Sequence, residues 1–248
     1  MMRARSHKFW NRKWTLPAIG LAMISGLTYI VLGGSVSKER TPRDLAAIAV
    51  LGADRACADL SGFDRQLGCA RFVQRSVQTR VADMRCAENG EPIEPMDFLE
   101  RGYGCCFDRA RFMAKALEHY GLRTRHVSLH DRSEHGVLAY LVPGVRSHAS
   151  TEVLTDRGWM GVDSNQPFVL LTRDGTPVTY SQLPAVSLER LVDGPAPRDL
   201  YQLPLLVTYG LYSRHGRFHG PDLPAPEINY PEFIRYNFAG DEPADQNG

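Results

Sequence analysis

Two adjacent cysteines, Cys105 and Cys106, follow Gly102 and Gly104 and open a helical pattern in GYGCCFDRARFMAKALEHYG, residues 102 to 121. A thiol in the first turn of a helix lies at the positive end of the macrodipole, which favours its thiolate and lowers its pKa. The flanking glycines let the chain turn tightly and bring backbone N–H groups close to whatever the sulfur attacks, where they could stabilise an oxyanion. A nucleophilic thiol also needs a base, and a group to orient that base. HASTEVLTDRGWMGVD supplies His148 and Asp163 on two strand-like runs joined by a turn at Asp156, Arg157 and Gly158. Folded as a hairpin about the Thr155–Asp156 region, the runs place His148 opposite Asp163 within about one residue of register. Taken singly, each feature also has a plain structural reading: a packed or disulfide-bonded cysteine pair, and a polar His–Asp pair on a surface hairpin. Taken together they describe nucleophilic attack on a carbonyl.

One residue of helix turns a side chain through about 100°, so Cys105 and Cys106 cannot both face one groove. The chain has five cysteines: Cys57, Cys69, Cys86, Cys105 and Cys106. In an oxidising compartment five thiols cannot all pair, and one is left over. A disulfide from Cys105 to Cys57, Cys69 or Cys86 would leave Cys106 reduced.

The elements that must hold these residues can be read from periodicity. Cys106, Ala110, Met113, Ala114 and Leu117 recur at helical spacing, and Gly121 ends that helix. Upstream, DLAAIAVLGADRACADL and RQLGCARFVQRSVQTRVADM read as helices, AENGEPIEP as a loop, and MDFLERGYG as a short helix ending at Gly102. Downstream, LRTRHVSL, GVLAYLVPG, HASTEVL and GWMGVDS read as strands, with VLLT, VTY and LPLLVTYGLY as further candidates. Helices first and antiparallel strands afterwards predict an α+β domain.

The same residues resemble three motifs of the transglutaminase-like superfamily. Gly104, Cys106 and Ala110, with the exit through Gly121 and Arg125, resemble the first. His148, Ala149, Glu152 and Val153 resemble the second, and Gly158, Trp159 and Asp163 the third. The resemblance spans roughly residues 70 to 167. It implies a papain-like core of helices packed on an antiparallel sheet, with Cys106 as nucleophile, His148 as general base and acid, and Asp163 as the orienting group. Ser150 stands where many members carry an aromatic residue, so the substrate groove differs. A related bacterial cysteine-proteinase group has its catalytic histidine in a run like His135-Gly-Val-Leu-Ala-Tyr; His148 is preferred here because it alone has the Glu-Val continuation and the short hairpin to Asp163. Gln74 and Gln78, on the helix before the thiol, are candidate oxyanion donors.

The remaining expectations concern placement and partners. Trp14 to Ser37 runs without a charge, and Arg3, Arg5, Lys8, Arg12 and Lys13 precede it. About 20 apolar residues cross a bilayer, and flanking basic residues favour the cytoplasmic side. The organisation expected is a basic cytoplasmic tail at 1–13, a transmembrane signal-anchor helix at 14–34, a linker at 35–50, a catalytic domain at 51–236 and a disordered tail at 237–248. A cleaved signal peptide is the alternative for the apolar run. A net charge of +1 without a large basic block argues against nucleic acid. No cofactor is expected: His215 and His219 lack a Cys or carboxylate partner at zinc spacing, and no Asp-rich loop resembles a calcium site. The aromatic, basic stretch YSRHGRFHGPDLPAPEINYPEFIRYNF reads as a strap over the domain or as one wall of a groove. The function implied is thiol acyl transfer on a peptide or protein in the bacterial periplasm, more hydrolytic than cross-linking. The rivals are a cross-linking transglutaminase and a non-catalytic binding module.

Overall fold

In the computed structural model the described residues are 19–21, 23–26, 28, 33–88, 90–192, 200–216, 218 and 225–239. Helices α1 (Pro42–Val50), α2 (Phe63–Arg80), α3 (Pro95–Arg101) and α4 (Cys106–His119) come first. Strands β1 (Thr124–Asp131), β2 (Ser147–Thr155), β3 (Gly158–Val162), β4 (Leu205–Tyr209), β5 (Leu211–Ser213) and β6 (Glu227–Ile228) follow, and α5 (Tyr230–Phe238) comes last. The expected α+β order is therefore observed. The main sheet is antiparallel with strand order β3-β2-β1-β4, and β5 pairs with β6 in a small second sheet.

The helix that begins at Cys106 is the centrepiece because it is buried around its whole circumference from Asp108 to Leu117. Its apolar side, Phe112, Met113, Ala116 and Leu117, joins Val73 and Val77 of α2 and Val153, Met160 and Val162 of the sheet in one core. Its polar side is also inside, which demands paired charges. Lys115 Nζ reaches Asp44 Oδ2 and Glu94 Oε2 at 2.7 Å each, and Arg111 Nε donates to Glu94 Oε2 at 2.9 Å. These pairs fasten α1 and the start of α3 to α4. Thr151 donates from its hydroxyl to the Ala110 carbonyl at 3.0 Å, locking β2 against the same helix. A second core gathers Val127, Leu129, Leu170, Tyr180 and Tyr201.

Several expectations are revised. GVLAYLVPG is not a strand: Gly136–Tyr140 forms a 3-10 helix that leaves Val137, Leu138 and Leu141 exposed. Val169, Leu171 and Pro177 make isolated bridges rather than full strands. Residues 35–50, expected as a linker, are docked. Ser35 bridges Ile228, Val36 N–H donates to the Ile228 carbonyl, Lys38 pairs with Glu118, and residues 42–50 are α1. The boundary expected at 236 falls inside α5, which runs to Phe238; residues 240–248 lie outside the described residues. The apolar segment 14–34 is described only in part. Its described helical residues include Ile19, Leu21, Met23 and Ile24, each more than half exposed. Among the described residues no helix is long and apolar enough to cross a membrane.

Candidate active site

The turn into α4 is built for close approach. Gly102 takes φ 75° to end α3, a conformation that favours glycine. A Cβ on Gly104 would stand 2.4 Å from the Phe98 ring, so no other residue fits without displacing that ring. Cys105 then forms the N-cap position, and its N–H donates to Asp108 Oδ2 at 2.9 Å. Arg101 Nη2 holds the other oxygen of Asp108 at 2.6 Å. Cys106 is the first residue of the helix proper.

The cysteines sort as the directional argument requires. Cys105 bonds to Cys86 and Cys57 to Cys69, and Cys106 is free. Cys106 and His148 share a cleft of about 260 Å³.

His148 stands at the mouth of β2, and its Nε2 lies 3.0 Å from Asp163 Oδ2. Its imidazole shares the cleft with the Cys106 thiol, and each raises or lowers the other's proton affinity. The hairpin register that achieves this differs from the expectation. The two-residue loop is Asp156-Arg157, with Gly158 at φ 109°, so Thr155 pairs with Gly158 and Thr151 with Val162. Extending that register sets Asp163 across from Ser150, two residues from His148. A shift of two keeps the same face, because side chains alternate with period 2. The imidazole therefore reaches the carboxylate diagonally.

Asp163 is 1 % exposed and surrounded by donors. Oδ1 accepts from the N–H groups of Asn165 at 2.8 Å and Gln166 at 2.6 Å; Oδ2 accepts from His148 and from the Tyr201 hydroxyl. Burial pushes its carboxyl up, but the charge and hydrogen bond of His148, with Tyr201 and the Gln166 N–H, hold it below the ordinary range. For His148, burial pushes down, and Asp163 and Cys106 together raise it well above an ordinary imidazole. Burial raises the Cys106 thiol, and the Asp163 charge adds to that. The hydrogen bond and charge of His148 and the Ala149 N–H outweigh both, so the thiol lies below its ordinary value. These directions agree in favouring the thiolate and the imidazolium over the neutral pair.

Other candidates lie elsewhere or act differently. Gln74 and Gln78 do not face the thiol. Gln74 Nε2 donates to the carbonyls of Asp163, Gln166 and Phe168 at 2.9, 3.0 and 2.6 Å, and Gln78 Nε2 to those of Asp163 and Gln166 at 3.2 and 3.0 Å. They pin the loop that carries the carboxylate. His135 is exposed beside Glu134, at 3.8 Å, and does not line the cleft with Cys106. Arg125 and Glu152 are a buried ion pair across β1 and β2, with Arg125 stacked between Trp159 and Tyr209 at 4.3 and 4.1 Å. His215 lines the cleft; His219 lies outside the described residues. Among the described residues no group of His, Cys, Asp and Glu could hold a metal ion.

Tyr201 had no signal in the sequence. It comes from a short 3-10 turn, stacks on Tyr180 at 5.7 Å and meets the His148 ring edge-on at 6.0 Å. Arg109, one turn into α4, was also missed. Its Nη2 donates to the Val81 carbonyl at 2.7 Å and its Nη1 to Asn165 Oδ1 at 3.4 Å, tying α4 to the Asp163 loop.

Compared with known proteins, residues 65–164 match the family model described as transglutaminase-like superfamily. No curated protein and no solved structure matches the chain. The matched segment contains Cys106, His148 and Asp163.

Proposed function

Because residues 65–164 carry a transglutaminase-like core, we propose that the protein is a thiol-dependent acyl-transfer enzyme acting at amide bonds of a peptide or protein. Cys106 is the nucleophile, His148 the proton carrier and Asp163 its orienting partner. The observation that carries the reading is the free thiol in one cleft with His148, whose Nε2 stands 3.0 Å from a buried Asp163.

The steps follow from that geometry. The Cys106 thiolate attacks the amide carbonyl, and the first-turn N–H groups of α4, which have no intrahelical acceptors, face the developing oxyanion. The imidazolium of His148 then gives its proton to the leaving amine, and a thioester remains on Cys106. The now neutral imidazole takes a proton from water as the water attacks, the thioester bond breaks to release the acid, and the thiolate and imidazolium are restored. Asp163 fixes the ring and offsets the imidazolium charge. Cys106 is partly exposed in its cleft, so water has access to the thioester, which favours hydrolysis over transfer to an amine.

Two disulfides fit an oxidising compartment. With the apolar, basic-flanked N-terminal segment, they support a bacterial inner-membrane protein with its catalytic domain in the periplasm. The test is the host proteome with Cys106→Ala against the unaltered protein. An envelope protein accumulating uncut supports hydrolysis, and loss of a cross-linked species supports transfer to an amine. A thiol probe that labels Cys106 no faster than an ordinary free cysteine would remove the enzymatic reading.

A further inference from the structure

Beside the cleft, the 3-10 helix Gly136–Tyr140 carries apolar side chains that neither the core nor the acyl-transfer chemistry uses. Val137, Leu138 and Leu141 are 70, 59 and 73 % exposed. Their mount is fixed. Ala139 is fully buried, the Tyr140 hydroxyl is hydrogen-bonded to that of Thr208, and Arg214 Nη1 donates to the carbonyls of Ala139 and Val142, the latter at 3.1 Å. A single exposed leucine is ordinary, but three large apolar side chains within five residues of a fixed segment mark a contact surface. Pro143 and Gly144, the next residues but one, line the cleft that holds Cys106 and His148.

Strand register shows which other apolar stretch leaves the domain at this end. Ser35 and Ile228 form a parallel bridge, in which the Ile228 N–H donates to the Gly34 carbonyl at 2.7 Å and the Val36 N–H to the Ile228 carbonyl at 3.0 Å. β6 is antiparallel to β5, with Leu211 opposite Ile228 and Ser213 opposite Glu227. Followed backwards from Ser35, the chain therefore runs in the direction that β5 takes forwards, and β5 leads into Arg214, which grips the 3-10 helix. The charge-free segment 14–34 thus joins the domain at the end where Val137, Leu138 and Leu141 are displayed. Around them the formal charges of Asp131 and Glu134 balance those of Arg132 and Arg146, so what the surface offers a partner is apolar area.

Resting on the reading that segment 14–34 enters a membrane, we propose that Val137, Leu138 and Leu141 insert into the lipid surface of that same membrane, so that the cleft opens towards amide bonds held at the surface. An apolar segment of this size reaches the boundary between headgroups and acyl chains without spanning the bilayer. The tether keeps lipid at high effective concentration beside the 3-10 helix, so three side chains are enough to hold it there.

The test uses the full-length protein in phosphatidylcholine vesicles doped with a phosphatidylcholine that carries a photoactivatable diazirine on its acyl chain. After illumination, peptide mass spectrometry locates the lipid adducts. The unaltered protein should carry them on peptide 133–146 as well as on the N-terminal segment. Replacing both leucines, Leu138→Ser with Leu141→Ser, should lower the yield on 133–146 by roughly tenfold and leave the N-terminal yield unchanged. Neither leucine lines the cleft, so an unchanged rate of iodoacetamide labelling at Cys106 shows that the variant is folded. Adding phosphatidylglycerol should alter the yield on 133–146 by less than about twofold, because the surrounding charges balance. A yield that depends on the anionic lipid would assign the contact to Arg132 and Arg146 and overturn apolar insertion. Adducts on the N-terminal segment alone overturn the proposal, and a detergent-solubilised dimer separated by the double variant would then name a second copy as the occupant. Absence of adducts from the N-terminal segment would instead overturn the anchored reading, so the two failures are distinguishable.

Discussion

Replacing His148 by alanine should reverse the direction in which Cys106 is shifted. Burial raises the thiol and the Asp163 charge raises it further, while the hydrogen bond and charge of His148 and the Ala149 N–H lower it. With His148 present the lowering influences win. In His148→Ala only the Ala149 N–H remains to oppose burial and Asp163, so the thiol moves from below its ordinary value to above it. An unperturbed thiol, with a pKa of about 8.5, is only about 3 % thiolate at pH 7. The variant must lie below that fraction, whereas the lowered thiol of the unaltered protein lies above it. Alkylation of Cys106 by iodoacetamide at pH 7 should therefore slow by roughly tenfold, equivalent to about 1.4 kcal/mol. The assay is the rate at Cys106 across a pH series, for both proteins. The gap should close at high pH, where both thiols are ionised, and this shows that access to the sulfur is unchanged. Rates within about threefold at pH 7, or a variant midpoint below that of a free thiol, would refute the ion-pair argument.

Three further outcomes follow from neighbouring contacts. Tyr201→Phe removes a hydroxyl donor from the buried Asp163 carboxylate, and should cost roughly 1.5–3 kcal/mol in urea unfolding at neutral pH; no loss would mean that the carboxylate has another donor. Gly104→Ala drives a Cβ to 2.4 Å from the ring of Phe98, which is fully buried and packed edge-on against Phe112 at 6.0 Å. It should cost about 1–3 kcal/mol and slow alkylation of Cys106, both absent if the ring can yield. Glu94 is held at about 2, well below an ordinary glutamate: burial opposes ionisation, but Arg111 and Lys115 prevail. A depressed carboxyl contributes stability that is full above its unfolded pKa and is lost as pH falls through its folded one. The stability gap between the protein and Glu94→Gln should thus persist at neutral pH and shrink as pH falls from about 4.5 towards about 2, measured by urea unfolding at each pH. A gap that stays constant over that range would contradict the pairing.

Much of the site was legible because its signals are local. The glycines before Cys106, the apolar spacing along α4 and the Asp-Arg-Gly turn each lie within a few residues of what they shape. The hairpin shows how far such reasoning carries. The expected register was two residues from the observed one, yet the face was right, because parity survives an even shift. The 3-10 helix at Gly136–Tyr140 shows the limit. Its run of apolar residues looks like a buried strand, but Val137, Leu138 and Leu141 face outwards, and an apolar run alone carries no information about which side is covered.

Residue type and spacing determined that a thiol would open a helix, that Cys105 would point away from it, and that a histidine and a carboxylate would share a hairpin face. Helix and strand periodicity are properties of the nearest few residues, so they can be read along the chain. The fold alone decided that Cys86 would take Cys105, that Gln74 and Gln78 would pin the carboxylate loop rather than face the thiol, and that Tyr201 would cap Asp163 from 38 residues away. It also decided that Arg214, from the far end of the chain, would line the cleft. Those partners meet because separate segments pack on a common core, and contacts made at such distances along the chain have no period to reveal them.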